Sequence, residues 1–194
     1  MSQDIFAESA GDRQLLAVSP SERDHRQGSL DARVVLVEYG DYQCPQSGEL
    51  YALIQAIQVQ LNRNLNEKNY LCFVFRHFPQ PQLNPQSQKA AAAAEAAGAQ
   101  GQFWQMSEIL WEHHQDLGDG YLVEYAANLG LNVTQFLRDI AGEVYGDRIR
   151  QDIESGRRSG VTRTPALFIN SIRYQNALEF GPLLNAVIES GGLV

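Results

Sequence analysis

The stretch that decides the fold reads Val34-Val35-Leu36-Val37-Glu38-Tyr39-Gly40-Asp41-Tyr42-Gln43-Cys44-Pro45-Gln46-Ser47. Its leading apolar residues are rich in valine, a pattern typical of a strand that is buried on both faces. A short turn around Gly40 follows. Pro45 suits the first position of a helix, where its missing N–H costs nothing. The stretch therefore predicts a strand, a turn and a helix, with Cys44 as the N-cap residue.

Cys44 is the candidate reactive residue. The start of a helix offers free backbone N–H groups and the positive end of the helix dipole, and both stabilise a thiolate. The alternative is a small apolar residue that merely follows a turn. Because Pro45 and the order of strand, turn and helix put the sulfur at the helix start, the sequence favours a reactive Cys44.

Length and charge limit the class of protein. The chain has 194 residues, of which 44% are hydrophobic, and this is enough to bury the core of one domain. Its 15 basic and 23 acidic residues give a formal charge of −8. Phosphate binding needs a clustered basic surface, so we do not expect a nucleic-acid partner. Cys44 and Cys72 are the only cysteines, too few for a disulfide framework.

The composition of the chain also suggests a location. Residues 1–8 show neither the basic region nor the apolar core of a signal peptide. No run of about 18 apolar residues is present, so we expect no membrane span and no membrane partner. From these features and the low cysteine count we predict a cytoplasmic protein whose thiols are both reduced.

The periodicity of apolar residues predicts the remaining elements. Residues 1–30 are polar and irregular, and we expect an N-terminal arm packed against a single domain over residues 31–194. The domain should contain strands near 34–39 and 70–75, a helical insertion over about 86–158, a hairpin near 165–174 and a closing helix over 179–190. Two parallel strands joined by a helix require a right-handed crossover. The predicted fold class is therefore α/β, with a central mixed β-sheet flanked by helices.

Four motifs carry a recognisable family pattern. They are Val-Glu-Tyr-Gly-Asp-Tyr-Gln-Cys-Pro at 37–45, Phe-Arg-His-Phe-Pro at 75–79, Ala-Glu-Ala-Ala-Gly at 94–98 with Gln-Phe-Trp at 102–104, and Ser-Gly-Val-Thr-Arg-Thr-Pro at 159–165 followed by Phe-Ile-Asn at 168–170. Together they resemble the DsbA-like branch of the thioredoxin-fold superfamily over about residues 22 to 190. The resemblance implies a thioredoxin-like fold with an inserted all-helical subdomain, and a thiol–disulfide oxidoreductase.

The resemblance also implies roles for the matched residues. Cys44 takes the position of the nucleophile, and Pro165 that of a cis-proline facing it. Thr164 would offer backbone hydrogen bonds to a bound peptide or disulfide. Glu38 takes the position of a buried acid that assists proton transfer. A carboxyl group in an apolar strand resists ionisation, so its pKa should rise and it can act as acid or base; the alternative is an edge residue pointing to water.

The chain departs from the family at one decisive position. The family motif is C-x-x-C, whereas here it reads Cys44-Pro45-Gln46-Ser47. A dithiol enzyme resolves its mixed disulfide with the second cysteine, and the hydroxyl of Ser47 forms no disulfide. The usual dithiol cycle is therefore excluded. We predict that Ser47 donates a hydrogen bond to the Cys44 thiolate and that Pro45 and Gln46 contact the substrate.

Three outcomes follow from this departure. In the favoured one, Cys44 acts as a monothiol that exchanges with glutathione or another small thiol as co-substrate, or with protein thiols and disulfides. Arg163 would then pair with a substrate carboxylate, unless it is a solvated loop arginine. In the second, Cys72 resolves the mixed disulfide, although its apolar strand suggests an inert thiol. In the third, the fold is a redox-inactive binding module. A thiol peroxidase or redox sensor that forms a sulfenic acid at Cys44 is a further alternative.

The histidines do not predict a metal site. His113 and His114 are adjacent on a predicted helix and so point in different directions. His25 and His77 are the only other histidines, and neither Cys44 nor Cys72 has a ligand at the spacing of a metal site. The sequence therefore predicts no metal and no tightly bound cofactor, and it does not predict the oligomeric state.

Overall fold

A computed structural model describes residues 14–65 and 69–192. The strands are β1 (His25–Gln27), β2 (Val34–Gly40), β3 (Leu71–His77), β4 (Ala166–Ile169) and β5 (Ile172–Arg173). The helices are α1 (Pro45–Leu65), α2 (Ser87–Gly98), α3 (Phe103–Glu112), α4 (Asp119–Asn128), α5 (Val133–Ala141), α6 (Gly146–Arg158) and α7 (Phe180–Ser190). The strand, the Cys44 helix, the helical insertion and the hairpin predicted from the sequence are thus all present.

The strands form one mixed sheet in the order β1-β3-β2-β4-β5. β2 and β3 are parallel, and α1 is the crossover between them, whereas β1 pairs with β3, and β4 with β2, in the antiparallel sense. Gly40 at the end of β2 lies opposite His77 at the end of β3. Because β2 is a central strand, the loop that follows it and carries Cys44 emerges from the middle of the sheet.

Both faces of β2 are buried, as its run of apolar residues predicts. Val34 and Leu36 belong to the larger core, which also contains the buried residues of α1 and most of those of α2 to α5. Val37 and Tyr39 point to the opposite face and belong to a smaller core with Phe168 of β4. Glu38 has the same parity as Leu36, so it faces α1 from inside the sheet.

The hairpin between β4 and β5 is closed by Asn170 and Ser171. Their φ angles are 46° and 70°, the left-handed conformations that a two-residue type I′ turn requires. The Asn170 side chain accepts a hydrogen bond from the Val35 N–H (2.8 Å) and donates to the Ser190 carbonyl (3.1 Å). Asn170 therefore joins the hairpin to the beginning of β2 and to the end of α7.

The sequence did not predict β1, since residues 25–27 have no apolar run. β1 forms because its backbone pairs with β3 and because Arg76 of β3 holds the preceding segment. The buried guanidinium of Arg76 donates to Asp24 (2.7 Å) and to the carbonyls of Val18 and Ser19. The part of the predicted arm before residue 14 lies outside the described residues, and the division into an arm and a domain stays a prediction.

Gly40 permits the close packing at the end of β2. A Cβ atom at this position would clash with the ring of Phe75 and would lie 2.8 Å from Glu38 Oε1. We therefore expect Gly40→Ala to destabilise the protein by about 1–3 kcal/mol, the usual cost of overpacking a core. Urea denaturation would measure the loss. The control is Gly120→Ala in α4, where the added Cβ meets no atom within 4 Å and should be neutral or stabilising. Equal effects of the two substitutions would contradict the prediction.

Candidate functional site

Cys44 lies directly before the first residue of α1, and its side chain is 9% exposed. The Sγ atom is 3.3 Å from Gln46 Oε1 and 3.6 Å from the Thr164 carbonyl oxygen. The peptide bond between Thr164 and Pro165 is cis. The structure thus brings together four of the predicted site residues, Cys44 and Gln46 from one segment and Thr164 and Pro165 from another that is far away in the sequence.

Asp41 holds the loop that carries Cys44. Its buried carboxylate accepts hydrogen bonds from the backbone N–H groups of Gln43 (2.9 Å) and Gln80 (3.0 Å) and from Asn84 Nδ2 (2.8 Å). Burial raises the pKa of Asp41, although these hydrogen bonds act in the opposite direction. Asp41 therefore fastens the loop before Cys44 to the segment that follows β3.

Gln80 extends this connection to the loop before Pro165. Its Nε2 donates to the Thr162 carbonyl (3.0 Å), and the hydroxyl of Thr164 donates to its Oε1 (3.4 Å). The sequence patterns predicted no role for Asp41, Gln80 or Asn84. The one signal in the sequence was the position of Gln80 between two prolines, which restricts the backbone there.

Glu38 is completely buried, and neither of its carboxyl oxygens has a hydrogen-bond partner among the described residues. Burial raises the pKa of Glu38 well above its usual value, and the nearby hydroxyl of Ser47 offsets only part of this rise. The proton therefore stays on the carboxyl group at a pH where an exposed glutamate would be ionised. The sequence left two orientations open for Glu38, one buried and one pointing to water, and the structure has the buried one.

Ser47 is also completely buried, in the first turn of α1. Its hydroxyl oxygen accepts a hydrogen bond from the Asp41 N–H at 3.2 Å. Its own proton is then free to be donated to the nearby carboxyl group of Glu38. The predicted hydrogen bond from Ser47 to a Cys44 thiolate stays a prediction.

Cys72 does not lie near Cys44. It is opposite Val35 at the beginning of β2, whereas Cys44 follows the far end of that strand. The separation along the sheet from Cys72 to His77 alone is about 16 Å at ~3.3 Å per residue. Cys72 is fully buried, and burial raises the pKa of its thiol to about 11. Cys72 therefore cannot resolve a mixed disulfide on Cys44 while the strands stay paired.

The remaining predicted contact residues are exposed around Cys44. Pro45 and Gln46 form the exposed first turn of α1. Arg163 is exposed directly before Thr164, and its side chain makes no hydrogen bond or ion pair with the described residues. A cation is thus available on the loop whose carbonyl faces the sulfur.

A second polar cluster lies inside the larger core. Oε1 of Glu95 is 2.9 Å from His25 Nε2, 2.9 Å from His77 Nε2 and 3.4 Å from Arg148 Nε. The ligand atoms of the two histidines and Glu95 lie within 4.8 Å of one another, close enough to hold a metal ion, and the sequence did not predict this cluster. The nearby cation of Arg148 instead suits an ion pair with an ionised Glu95, whose pKa is held well below its usual value by hydrogen bonds from both histidines despite burial.

A mixed sheet with a helical insertion, and a cysteine at a helix start that faces a cis-proline, define a protein of the thioredoxin fold. The chain belongs to the thioredoxin family, because the sequence model of that family, described as "Thioredoxin", matches residues 20–188. A curated relative, the Na⁺/H⁺ antiporter NhaA 1 of Mycobacterium sp. (strain KMS), is 36% identical over 173 residues. That match covers 88% of this chain, but the chain spans only 27% of the relative.

Solved structures of DsbA type share the fold. BdbD from Bacillus subtilis superposes with a TM-score of 0.77 at 20% identity, covering 92% of this chain and 98% of that one. Alpha-DsbA1 from Wolbachia pipientis gives a TM-score of 0.73 at 18% identity, covering 89% and 93%. At such identities the likeness establishes the fold alone. The expected DsbA-like architecture with its helical insertion is confirmed.

The predicted cytoplasmic location is wrong. The related sequences are named as Na⁺/H⁺ antiporters, which are membrane transport proteins, and this points away from the cytoplasm. The prediction rested partly on the cysteine count. That count is a poor guide here, because a fold of this size with a large apolar core needs no structural disulfide in any compartment. Among the described residues, no helix is long and apolar enough to cross a bilayer.

Proposed function

We propose that the protein catalyses thiol–disulfide exchange with Cys44 as its only reacting sulfur. The observation that carries this proposal is the environment of Cys44: its Sγ lies at the start of α1 against the Thr164 carbonyl, while Ser47 occupies the position of the resolving thiol. The positive end of the α1 dipole favours the thiolate form of a sulfur in that place. The other thiol, Cys72, is buried and remote.

In the first step the Cys44 thiolate attacks one sulfur of a substrate disulfide. A bond forms between Sγ and that sulfur, the substrate S–S bond breaks, and the second substrate sulfur leaves as a thiolate that takes up a proton. The product is a mixed disulfide on Cys44. In the second step a free thiol loses its proton and attacks the substrate sulfur of the mixed disulfide. The new S–S bond joins the two substrates, and Cys44 returns as a thiolate, so the cycle leaves the protein neither oxidised nor reduced.

The surrounding residues have distinct roles in this proposal. The Gln46 amide now accepts from the thiol, and turning it over would present its NH₂ group to the thiolate. The backbone of Thr164 binds the substrate next to its sulfur, and Arg163 attracts the carboxylate of a small thiol such as glutathione. Glu38 holds a proton that Ser47 can pass towards the sulfur or receive back.

Incubation with oxidised glutathione followed by intact-mass measurement tests the proposal. We expect one glutathione per chain, attached at Cys44, with complete reversal by reduced glutathione. The adduct should be absent in Cys44→Ser and unchanged in Cys72→Ser, because the buried Cys72 thiol is shielded and weakly acidic.

Two results would overturn the monothiol mechanism. If Cys44 forms no adduct with any disulfide, the fold is a binding module without thiol exchange. If Cys44 reacts with hydrogen peroxide to a stable sulfenic acid but not with disulfides, the protein is a peroxidase or sensor. Peroxide treatment in parallel with oxidised glutathione, followed by dimedone trapping of the sulfenic acid, separates the two.

A further inference from the structure

A groove lies beside Cys44, between α1 and α3. Its floor is formed by Pro45, Gly48 and Tyr51 of α1 and by Trp111 of α3, and its volume is about 450 Å³. Three carboxylates belong to its lining: Glu49, Glu108 and Glu112. We call this surface the Trp111 groove. Since Pro45 follows Cys44 directly, an occupant of the groove lies next to any sulfur bound to Cys44.

The floor of the Trp111 groove is aromatic. The rings of Tyr51 and Trp111 are stacked, with centroids 4.4 Å apart. Trp111 is only 7% exposed, yet its indole Nε1 has no acceptor among the described residues. Gly48 abuts this ring, since a Cβ there would lie 3.1–3.4 Å from Trp111 Cβ, Cγ and Cδ1, and Cδ1 is the atom bonded to Nε1. The floor thus offers an aromatic surface beside Cys44 on which the aliphatic parts of an occupant can pack.

The rim of the groove carries uncompensated negative charge. Glu108 accepts a hydrogen bond from the Tyr51 hydroxyl at 2.7 Å. The side chains of Glu49 and Glu112 are exposed and form no hydrogen bond or ion pair within residues 14–65 and 69–192. No lysine or arginine belongs to the lining of this groove, and its other titratable groups are Tyr51 and His114. The groove therefore complements a positively charged occupant with apolar or aliphatic parts.

We propose that the Trp111 groove binds the positively charged polypeptide segment that flanks the reacting sulfur of a protein substrate. This inference rests on the proposed exchange at Cys44 and names its substrate class. Lysine and arginine suit the groove because their aliphatic stems pack on Tyr51 and Trp111 while their charged ends reach Glu49 and Glu112. Glutathione has more carboxylates than ammonium groups, so it does not suit this groove and approaches instead from Arg163.

Three peptides test the inference. They are acetylated and amidated heptapeptides with a central cysteine and two leucines, differing in four positions that are all lysine, all glutamine or all glutamate. Each cysteine carries thionitrobenzoate as a mixed disulfide, and attack by Cys44 releases the coloured thiolate. Dividing each rate by that of the same peptide with 2-mercaptoethanol removes differences in intrinsic reactivity. We expect the lysine peptide to react about tenfold faster than the glutamine peptide at low salt, and the glutamate peptide more slowly than both.

Matched variants separate the groove from the overall charge of the protein. Glu49→Gln/Glu112→Gln should reduce the preference for the lysine peptide to about twofold or less. Glu124→Gln/Glu154→Gln removes the same charge from exposed positions of α4 and α6 and should retain the preference. Salt at 0.5 M should weaken the preference in every protein, because the Debye length is then only about 4 Å.

A binding measurement tests the Trp111 groove independently of thiol–disulfide exchange at Cys44. Cys44→Ser is titrated with the three peptides carrying serine in place of cysteine, and the indole N–H resonance of Trp111, assigned with Trp111→Phe, is followed by NMR. A shift with the lysine peptide alone supports the groove even if exchange fails. Equal exchange rates for all three peptides, or a preference that Glu49→Gln/Glu112→Gln leaves intact, would overturn the groove inference while leaving exchange at Cys44 in place.

Discussion

Ser47→Cys is expected to turn the protein from a monothiol into a dithiol protein that resolves its own mixed disulfides. Position 47 lies on the first turn of α1, three residues after Cys44, which is the spacing that the family uses for its redox pair. A thiol there attacks Cys44 Sγ within the same molecule, so the lifetime of a glutathione adduct should fall by on the order of 100-fold or more.

The new thiol is accommodated in the space of the buried hydroxyl. Ser47 Oγ accepts only one hydrogen bond from the backbone, at 3.2 Å from the Asp41 nitrogen, and a thiol is a weaker acceptor of similar shape. Mass spectrometry should show an intramolecular disulfide with a loss of two hydrogens after oxidation, and stopped-flow measurement should show the faster loss of the adduct. Ser47→Ala is the matched control, since it removes the hydroxyl without adding a thiol.

An unchanged adduct lifetime in Ser47→Cys would mean that Cys44 and position 47 do not approach each other as this structure describes. A disulfide between Cys72 and either Cys44 or the new cysteine at position 47 would contradict the distance along β3 that separates Cys72 from the site. The combination Ser47→Cys/Cys72→Ser distinguishes these cases, because an internal disulfide in that variant can form only with Cys44.

Glu38→Gln is expected to change how stability depends on pH. Burial raises the folded-state pKa of Glu38 well above its usual value, whereas in the unfolded chain the group titrates normally near 4.5. Between these two values the folded state holds a proton that the unfolded state has released. The free energy of unfolding therefore falls as the pH rises through this window, by up to about 1.4 kcal/mol per pH unit.

Glutamine has no proton to lose, so the pH-dependent contribution of position 38 to the free energy of unfolding is absent from the variant. The difference in unfolding free energy between Glu38→Gln and the parent protein should therefore move in favour of the variant as the pH rises above about 4.5, and it should be constant below that value. Urea denaturation from pH 4 to pH 8 would measure it. Glu154→Gln, an exposed position, is the control and should give a flat difference.

Asp41 and Asp152 also have raised pKa values, so the parent protein alone does not report on Glu38. Only the difference between variant and parent removes their contribution. The buried amide of the variant lowers the free energy of unfolding by an amount that does not depend on pH. It therefore shifts the plot of the free-energy difference against pH without changing its slope. A difference that does not vary with pH would show that Glu38 is ionised in the folded protein.

Much of the fold could be predicted because its signals are local. β2 and the start of α1 follow from an apolar run, a turn and Pro45, and the hairpin follows from Asn170 and Ser171 between two apolar stretches. The location could not be predicted, because a compartment leaves no mark on the packing of one domain. β1 was missed for a different reason: it has no apolar pattern, and it exists only because its backbone pairs with β3.

The sequence by itself determined that Cys44 stands at a helix start and that Ser47 replaces the partner thiol, because both facts depend on neighbouring residues. Only the tertiary structure decided what surrounds that sulfur. It brought Thr164 against Cys44, linked Asp41 to the loop at Thr162 through Gln80, and placed Trp111 next to Gly48. These contacts join residues that are distant along the chain, and the packing of α1 and the helical insertion on the sheet sets them.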